Sequence, residues 1–318
     1  MSWGIFAALA AGAIWSLNFI APRLVEPYSP VDLALVRFIV AAITGFTVLF
    51  YRHNALAGIS AGDIVMSFLL GAFGYVGYFF AVAIAIRSAG GLLPPLIISL
   101  VPIVLGIIGF RYFNPRTRVR IVFPMLLVAA GLLLVNARAV VLSDTSALPP
   151  GFVLGLAASF AALGIWIAFA LLNERVLAVR KSIDALTWAA LISVGSGATM
   201  LAFLPAAPIV GMLELANLGL FRAEALPLIA WGVATGVLCS LVATWAWSYA
   251  SQRVPAALAA QLMMTEVLFA IILGSIIDGE MPAMCSLAGA ALLLVGVAAT
   301  VHAIYDDASF IRMPHPRS

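Results

Sequence analysis

The stretch IWSLNFIAPR, residues 14–23, has a counterpart half a chain away, IWIAFALLNER at 165–175. Each sets a tryptophan deep in an apolar run that closes on a polar residue and an arginine. In membrane-spanning segments tryptophan is enriched at the two interfaces, yet Trp15 and Trp166 both sit mid-run. A phrase said twice at this spacing points to a duplicated chain, with the two indoles in related places on opposite sides of a central pathway.

The surroundings name the solvent. Of 318 residues, 64% are hydrophobic and 9% charged, against about 25% charged in soluble domains. So few charges cannot cover a soluble fold of this size. Runs of about 20 apolar residues recur throughout, the length that crosses a hydrocarbon core of about 30 Å as helix. Turn signals and charges punctuate ten of them, at 3–21, 31–50, 63–86, 92–110, 119–137, 151–172, 184–204, 226–250, 256–277 and 283–304. They run long without period-two alternation, which argues against strands. The fold class expected is an all-α integral membrane protein. The first segment lacks a basic leader, and Trp15 and Asn18 interrupt its apolar core, so it reads as a retained helix and not a signal peptide.

The net charge of +3 comes from basic residues scattered or set in short loops. That pattern implies a membrane surface and not nucleic acid. With the N-terminus inside, eleven Lys and Arg fall on the inner side and four on the outer, and Arg37 falls within the second segment. The bias predicts both termini in the cytoplasm. Cys239 and Cys285 lie in apolar runs and are not spaced as metal ligands. No cofactor is expected.

The polar, turn-rich SDTSALPPG at 143–151 divides the segments five and five. Residues 1–142 form a first repeat, 143–151 a linker, 152–304 a second repeat and 305–318 a cytoplasmic tail. Five helices per half is an odd number, so the second half must enter the membrane inverted. Inverted repeats mark secondary transporters, whose substrate binds near the midplane between the halves. A second echo aligns residues 91–110 with 255–274 and sets Pro102 opposite Glu266. The long, semi-apolar loop before the eighth segment has the composition of an interfacial helix.

IWSLNFIAPRL in the first segment, SPVDLALVRFIVAA (29–42) in the second and VPAALAAQLMMTEVLFAIILGSIIDGEMPAMCSLAGAALLLVGV (254–297) together resemble the drug/metabolite transporter superfamily, in particular its EamA-type ten-helix exporters. The aromatic third segment is most similar to YddG-like exporters of aromatic and other neutral amino acids. The resemblance implies an exporter in the bacterial inner membrane and not an enzyme. Glu266 departs from the family pattern, which often has proline or a small residue there.

Polar groups and rings inside the spans are the candidate substrate-binding residues, because polarity there is costly and tends to be functional. Trp15 and Asn18 share a face of the first segment, where Asn18 either meets substrate or bonds a neighbouring helix. GAFGYVGYFFAVA supplies Tyr75, Tyr78 and Phe79. Ser99 lies on a stripe with Pro95, Pro102 and Gly106. Trp166, Trp245, Gln261 and Glu266 complete the set. In the eighth segment Trp247 and Tyr249 read as interfacial belt residues. Glu266 is the only carboxylate well inside a segment. It is either a neutral carboxyl bonded to a neighbouring helix or a proton-coupling or amine-binding group. Arg37 can snorkel outward or pair with Asp32.

No Walker motif is present, so ATP does not drive transport directly. The partners expected are a small, largely apolar solute such as an amino acid and the lipid bilayer, with the chain monomeric. An integral membrane enzyme acting on a small apolar or lipid substrate is the alternative, but it would need clustered acid–base or metal groups. His53, His302 and His315 all lie near segment ends or in the tail. A channel would need a polar or charged pore lining, which the segments lack. Single cysteines placed at Ser143 and Ala283 should react with an impermeant thiol reagent added outside, and one at Thr117 only from inside. Inside labelling at Ser143 would overturn the five-plus-five arrangement.

Overall fold

A computed structural model describes residues 2–90, 93–109, 114–142, 150–206, 213–220, 222–254 and 256–305. Among the described residues nine helical spans are long and apolar enough to cross a membrane. We label them α1 (Ser2–Leu24), α2 (Pro30–Tyr51), α3 (Ala61–Ala89), α5 (Pro115–Asn136), α6 (Phe152–Val179), α7 (Ala185–Phe203), α8 (Ala225–Ser251), α9 (Leu258–Asp278) and α10 (Met284–Ile304). Between α3 and α5 lies α4 (Pro94–Gly109), apolar but shorter than the rest. No strand occurs among the described residues. Most of the expected linker (143–149), most of the tail (306–318), and Arg111, Arg312 and Arg317 of the charge count lie outside the described residues.

Local chemistry sets where the helices start. Ser29 and Asp32 form a reciprocal capping box at the start of α2, and Ser60 and Asp63 form another at α3. Asp184 caps α7 by accepting from the amides of Leu186 and Thr187. Asp32 is fully buried and also accepts from the amides of Glu214 (3.1 Å) and Leu215 (3.0 Å). With its oxygens so occupied it makes no ion pair with Arg37, which turns to other partners. The expected interfacial helix is only four residues long in its described part, Leu215–Leu218.

Several spans are interrupted. In α1 the α-helix ends at Trp15, and the chain continues as Leu17–Ile20 and a 3-10 turn over Ala21–Leu24. Ser16 bonds back to the Ala13 carbonyl (2.6 Å), which weakens the helical ladder, and Pro22 supplies no N–H to continue it. α4 breaks at 99–100 and α9 at Met264, which are aligned positions of the second sequence echo. α3 carries a π-helical segment, Leu70–Gly77, and α8 another, Gly236–Val242.

The helices pack as α1 with α8 and α9, α2 with α7, α3 with α6, α4 with α6 and α9, and α5 with α10. Without a hydrophobic force between helices in lipid, close approach of small residues supplies the attraction. At the α5–α10 crossing a Cβ on Gly131 would sit 2.7 Å from the Gly289 carbonyl oxygen, and one on Gly289 would sit 2.6 Å from that of Gly131. Only glycine admits this contact.

Ion pairs tie the ends together. Arg52 Nη1 meets Asp184 Oδ1 at 2.6 Å, and Arg180 Nη2 meets Asp63 Oδ2 at 2.5 Å. Arg23 meets Asp278 at 2.7 Å. Burial alone would raise the Asp184 pKa, but bonds from the Thr187 hydroxyl and amide and the nearby Arg52 outweigh it and hold the carboxyl below its usual value. A depressed folded-state pKa gives stability that is present above the unfolded value of about 3.9 and is lost as pH falls through the folded value. Asp184→Asn should therefore lower the melting temperature in detergent equally at about pH 7 and pH 5 and have much less effect near pH 3. A penalty that grows as pH falls would contradict this account.

Candidate functional site

The two echoed tryptophans meet. The Trp15 and Trp166 rings lie 5.6 Å apart, edge to face. Trp15 also touches Trp247 (5.8 Å), and Trp166 touches Tyr78 (5.2 Å) and stacks on Phe169 (5.1 Å, 21° between planes). The contacts continue through Tyr75 to Phe38 and Phe79. One aromatic cluster therefore joins α1, α2, α3, α6 and α8.

Hydrogen bonds hold it in place. Trp15 Nε1 donates to the Cys239 carbonyl at 2.8 Å, inside the π segment of α8. A π turn leaves carbonyls without their usual helical partners, so the indole N–H meets an acceptor that a regular helix would have used. The next carbonyl, of Ser240, accepts from the hydroxyls of Ser193 (3.1 Å) and Thr244 (2.7 Å). Thr244 is also bonded to the Tyr75 hydroxyl. Asn18 Oδ1 accepts from Arg37 Nη1 (2.7 Å), and Asn173 Oδ1 accepts from Trp188 Nε1 (2.8 Å). In both echoes the terminal polar residue thus takes a bond from the following span.

Of the candidates, Trp15, Trp166, Tyr75, Tyr78 and Phe79 are brought together in the cluster. Asn18 bonds a neighbouring helix through Arg37. Gln261 is buried and donates Nε2 to the Pro102 carbonyl (3.1 Å), joining α9 to α4. Its Oε1 is buried and has no partner among the described residues. Ser99 turns back on its own helix to the Leu96 carbonyl (2.6 Å). Glu266 opens the second piece of α9, half-buried, and its carboxylate makes no hydrogen bond or ion pair among the described residues. It lies within electrostatic reach of the Tyr78 hydroxyl and the Cys239 thiol.

Two expectations for α8 are reversed. Trp245 is 41% exposed on the outer surface, whereas Trp247 is 1% exposed and packed on Trp15. Two residues of offset along a helix turn the side chain through about 200°, and the aromatic pattern of α8 does not say which indole faces inward. Arg37 neither snorkels nor pairs with Asp32 but reaches Asn18 and Ser240 (2.9 Å). Phe169, Thr244 and the Cys239 carbonyl were not foreseen. Phe169 lies three residues after Trp166 and was legible by helical spacing, but the other two depend on the π segment.

Beside the cluster, a cavity of about 440 Å³ opens between α3 and α6, lined by residues such as Leu69, Phe73, Gly74, Ile165 and Phe169. Phe73 is exposed on its outer side, so the opening faces where lipid would lie. Among the described residues no group of three His, Cys, Asp or Glu is placed to hold a metal.

Residues 2–137 match the EamA-like transporter family. The chain is 25% identical over 317 residues to inner membrane protein YtfF of Escherichia coli (strain K12), covering 94% of this chain and 95% of that protein. A solved crystal structure, described only as that of a protein, shares the fold with a TM-score of 0.72 at 19% identity, over 95% of this chain and 97% of that one.

The placement of the two indoles of α8 can be checked. Trp247→Ala should open a cavity and destabilise the protein by about 3–5 kcal/mol, seen as a marked drop in detergent melting temperature. Trp245→Ala should change it little. Equal losses would mean that the two faces of α8 are not as described.

Proposed function

We propose that this chain is an EamA-type secondary transporter of the bacterial inner membrane, exporting amino acids, aromatic and other neutral ones, or related small metabolites by alternating access. The observation that carries the reading is the interior contact between Trp15 and Trp166. Two indoles from echoed segments, set edge to face, form an apolar aromatic wall with Tyr78, and a lone carboxyl, Glu266, lies close by. Such a wall suits a bulky apolar side chain, and the carboxyl suits an ammonium group. Similarity to the EamA-like family and to YtfF supports a membrane transporter and an inner-membrane location.

Several features support an inverted repeat. Exchanging each helix for the one five places on turns the α1–α8 contact into α6–α3 and α1–α9 into α6–α4, and leaves α2–α7, α4–α9 and α5–α10 unchanged. All of these contacts occur. The breaks in α4 and α9 and the π segments in α3 and α8 correspond under the same exchange. Helix interruptions near the middle of spans are how transporters expose backbone to a substrate. The ion pairs at opposite ends, Arg52–Asp184 and Arg180–Asp63 against Arg23–Asp278, are contacts that alternate opening would break in turn.

Counterflow in liposomes with labelled amino acids tests the reading. Saturable exchange of aromatic amino acids is expected. Trp166→Ala should weaken aromatic solutes about 2–10-fold more than alanine, the worth of ring stacking beyond burial, with Tyr78→Ala acting alike. Equal loss for all solutes at normal expression would assign the indole to folding or gating, and no exchange in the parent protein would end the amino-acid reading.

A further inference from the structure

Arg37 stands seven residues after the start of α2, about 10 Å into the span. Nε donates to Ser240 Oγ (2.9 Å), in the π segment midway along α8, and Nη1 donates to Asn18 Oδ1 (2.7 Å). Both partners are neutral. Among the described residues no carboxylate lies within ion-pairing distance, and Nη2 makes no hydrogen bond. A guanidinium carries its charge under all ordinary conditions. In a medium of low dielectric an unpaired charge is costly, and neutral hydrogen bonds orient it without cancelling it. The site is thus a fixed, oriented cation with a free donor.

Its position relative to the aromatic cluster follows from α1. Gly12, Trp15 and Asn18 are spaced by three and share a face. A Cβ on Gly12 would lie 3.3 Å from the Glu266 amide nitrogen, so α9 crosses α1 one turn before Trp15. Asn18, one turn after Trp15, holds Arg37. The α9 backbone at Glu266 and the Arg37 guanidinium therefore meet α1 one turn before and one turn after Trp15, and both charged groups lie within electrostatic reach of the Cys239 thiol.

We propose that Arg37 binds the carboxylate of the transported solute, with Asn18 and Ser240 as positioning residues that aim the guanidinium at the aromatic cluster. The proposal rests on the transporter reading and narrows its substrate class to solutes that carry a carboxylate beside a bulky apolar group. With the Glu266 carboxyl also within electrostatic reach of the Tyr78 hydroxyl and the Cys239 thiol, the surroundings suit a zwitterion: anionic end at Arg37, side chain among the rings, ammonium toward Glu266.

Binding to the full chain in non-ionic detergent, followed by tryptophan fluorescence, tests this with four probes: phenylalanine, phenylalaninol, 3-phenylpropionate and phenethylamine. The parent protein should bind the two carboxylates at least about tenfold more tightly than their counterparts without one, the usual worth of a charge-assisted bond. Arg37→Gln should erase that preference while leaving phenylalaninol within about twofold, and Arg37→Lys should keep part of it. Should Arg37→Gln fail to fold, Ser240→Ala, which frees Nε but keeps the charge, should still weaken the carboxylates selectively. A carboxylate preference that survives in Arg37→Gln, or its absence in the parent, would overturn the proposal while leaving amino-acid binding intact. Tight binding of 3-phenylpropionate without phenylalanine would uphold Arg37 and sink the amino-acid reading. Binding of none of the four would overturn both.

Discussion

Trp15 gives its indole N–H to the Cys239 carbonyl at 2.8 Å, and the interior is arranged around the conditions that permit this bond. In hydrocarbon an unmet donor or acceptor costs several kcal/mol, so a helix cannot surrender a carbonyl unless something else takes it. The π segment of α8 surrenders one at Cys239, because the Ala243 amide that would bond it in a regular helix bonds the Leu238 carbonyl instead. Trp15 of α1 takes it, and the next carbonyl, of Ser240, accepts from Ser193 of α7 and from Thr244 of α8 itself. Three helices are thereby pinned at one level, and the Tyr75 hydroxyl joins α3 to the same point through Thr244.

That level is where the unusual chemistry gathers. The aromatic cluster, the Arg37 guanidinium and the Glu266 carboxyl all touch or approach the π segment of α8 or the broken part of α1. Away from it the contacts are ordinary for a membrane bundle, as in the glycine contact of Gly131 with Gly289. At the ends the helices are capped by acidic residues, two of which also join ion pairs between loops. The exposed pairs, Arg52–Asp184 and Arg23–Asp278, contribute about 0–1 kcal/mol each, whereas Asp63 is buried against Arg180. The exposed pairs are the weaker contacts, and the bonds around Cys239 are shielded from water and the firmer ones.

The division between sequence and structure can be drawn residue by residue. Composition alone requires the bilayer, and apolar runs of about 20 residues locate the spans, because a helix must meet all its own backbone bonds in lipid. The echo around Trp15 and Trp166 leads one to expect the two indoles in related places on opposite sides of a pathway; in the fold they lie in direct contact. Spacing by three and four put Tyr75 and Tyr78 on a buried face, since the helical period is a local property. Tertiary structure decided the rest. Trp247 and not Trp245 faces inward because α1 packs on that side of α8. Arg37 turns to Asn18 and Ser240 because Asp32, the partner nearest in sequence, is occupied by the amides of Glu214 and Leu215, more than 180 residues away. The carbonyl that anchors Trp15 is free because α8 widens into a π turn, and nothing local in GVLCSLV requires that widening. Period and polarity are written in neighbouring residues; which polar group finds which partner is settled by helices that meet only after the chain has folded.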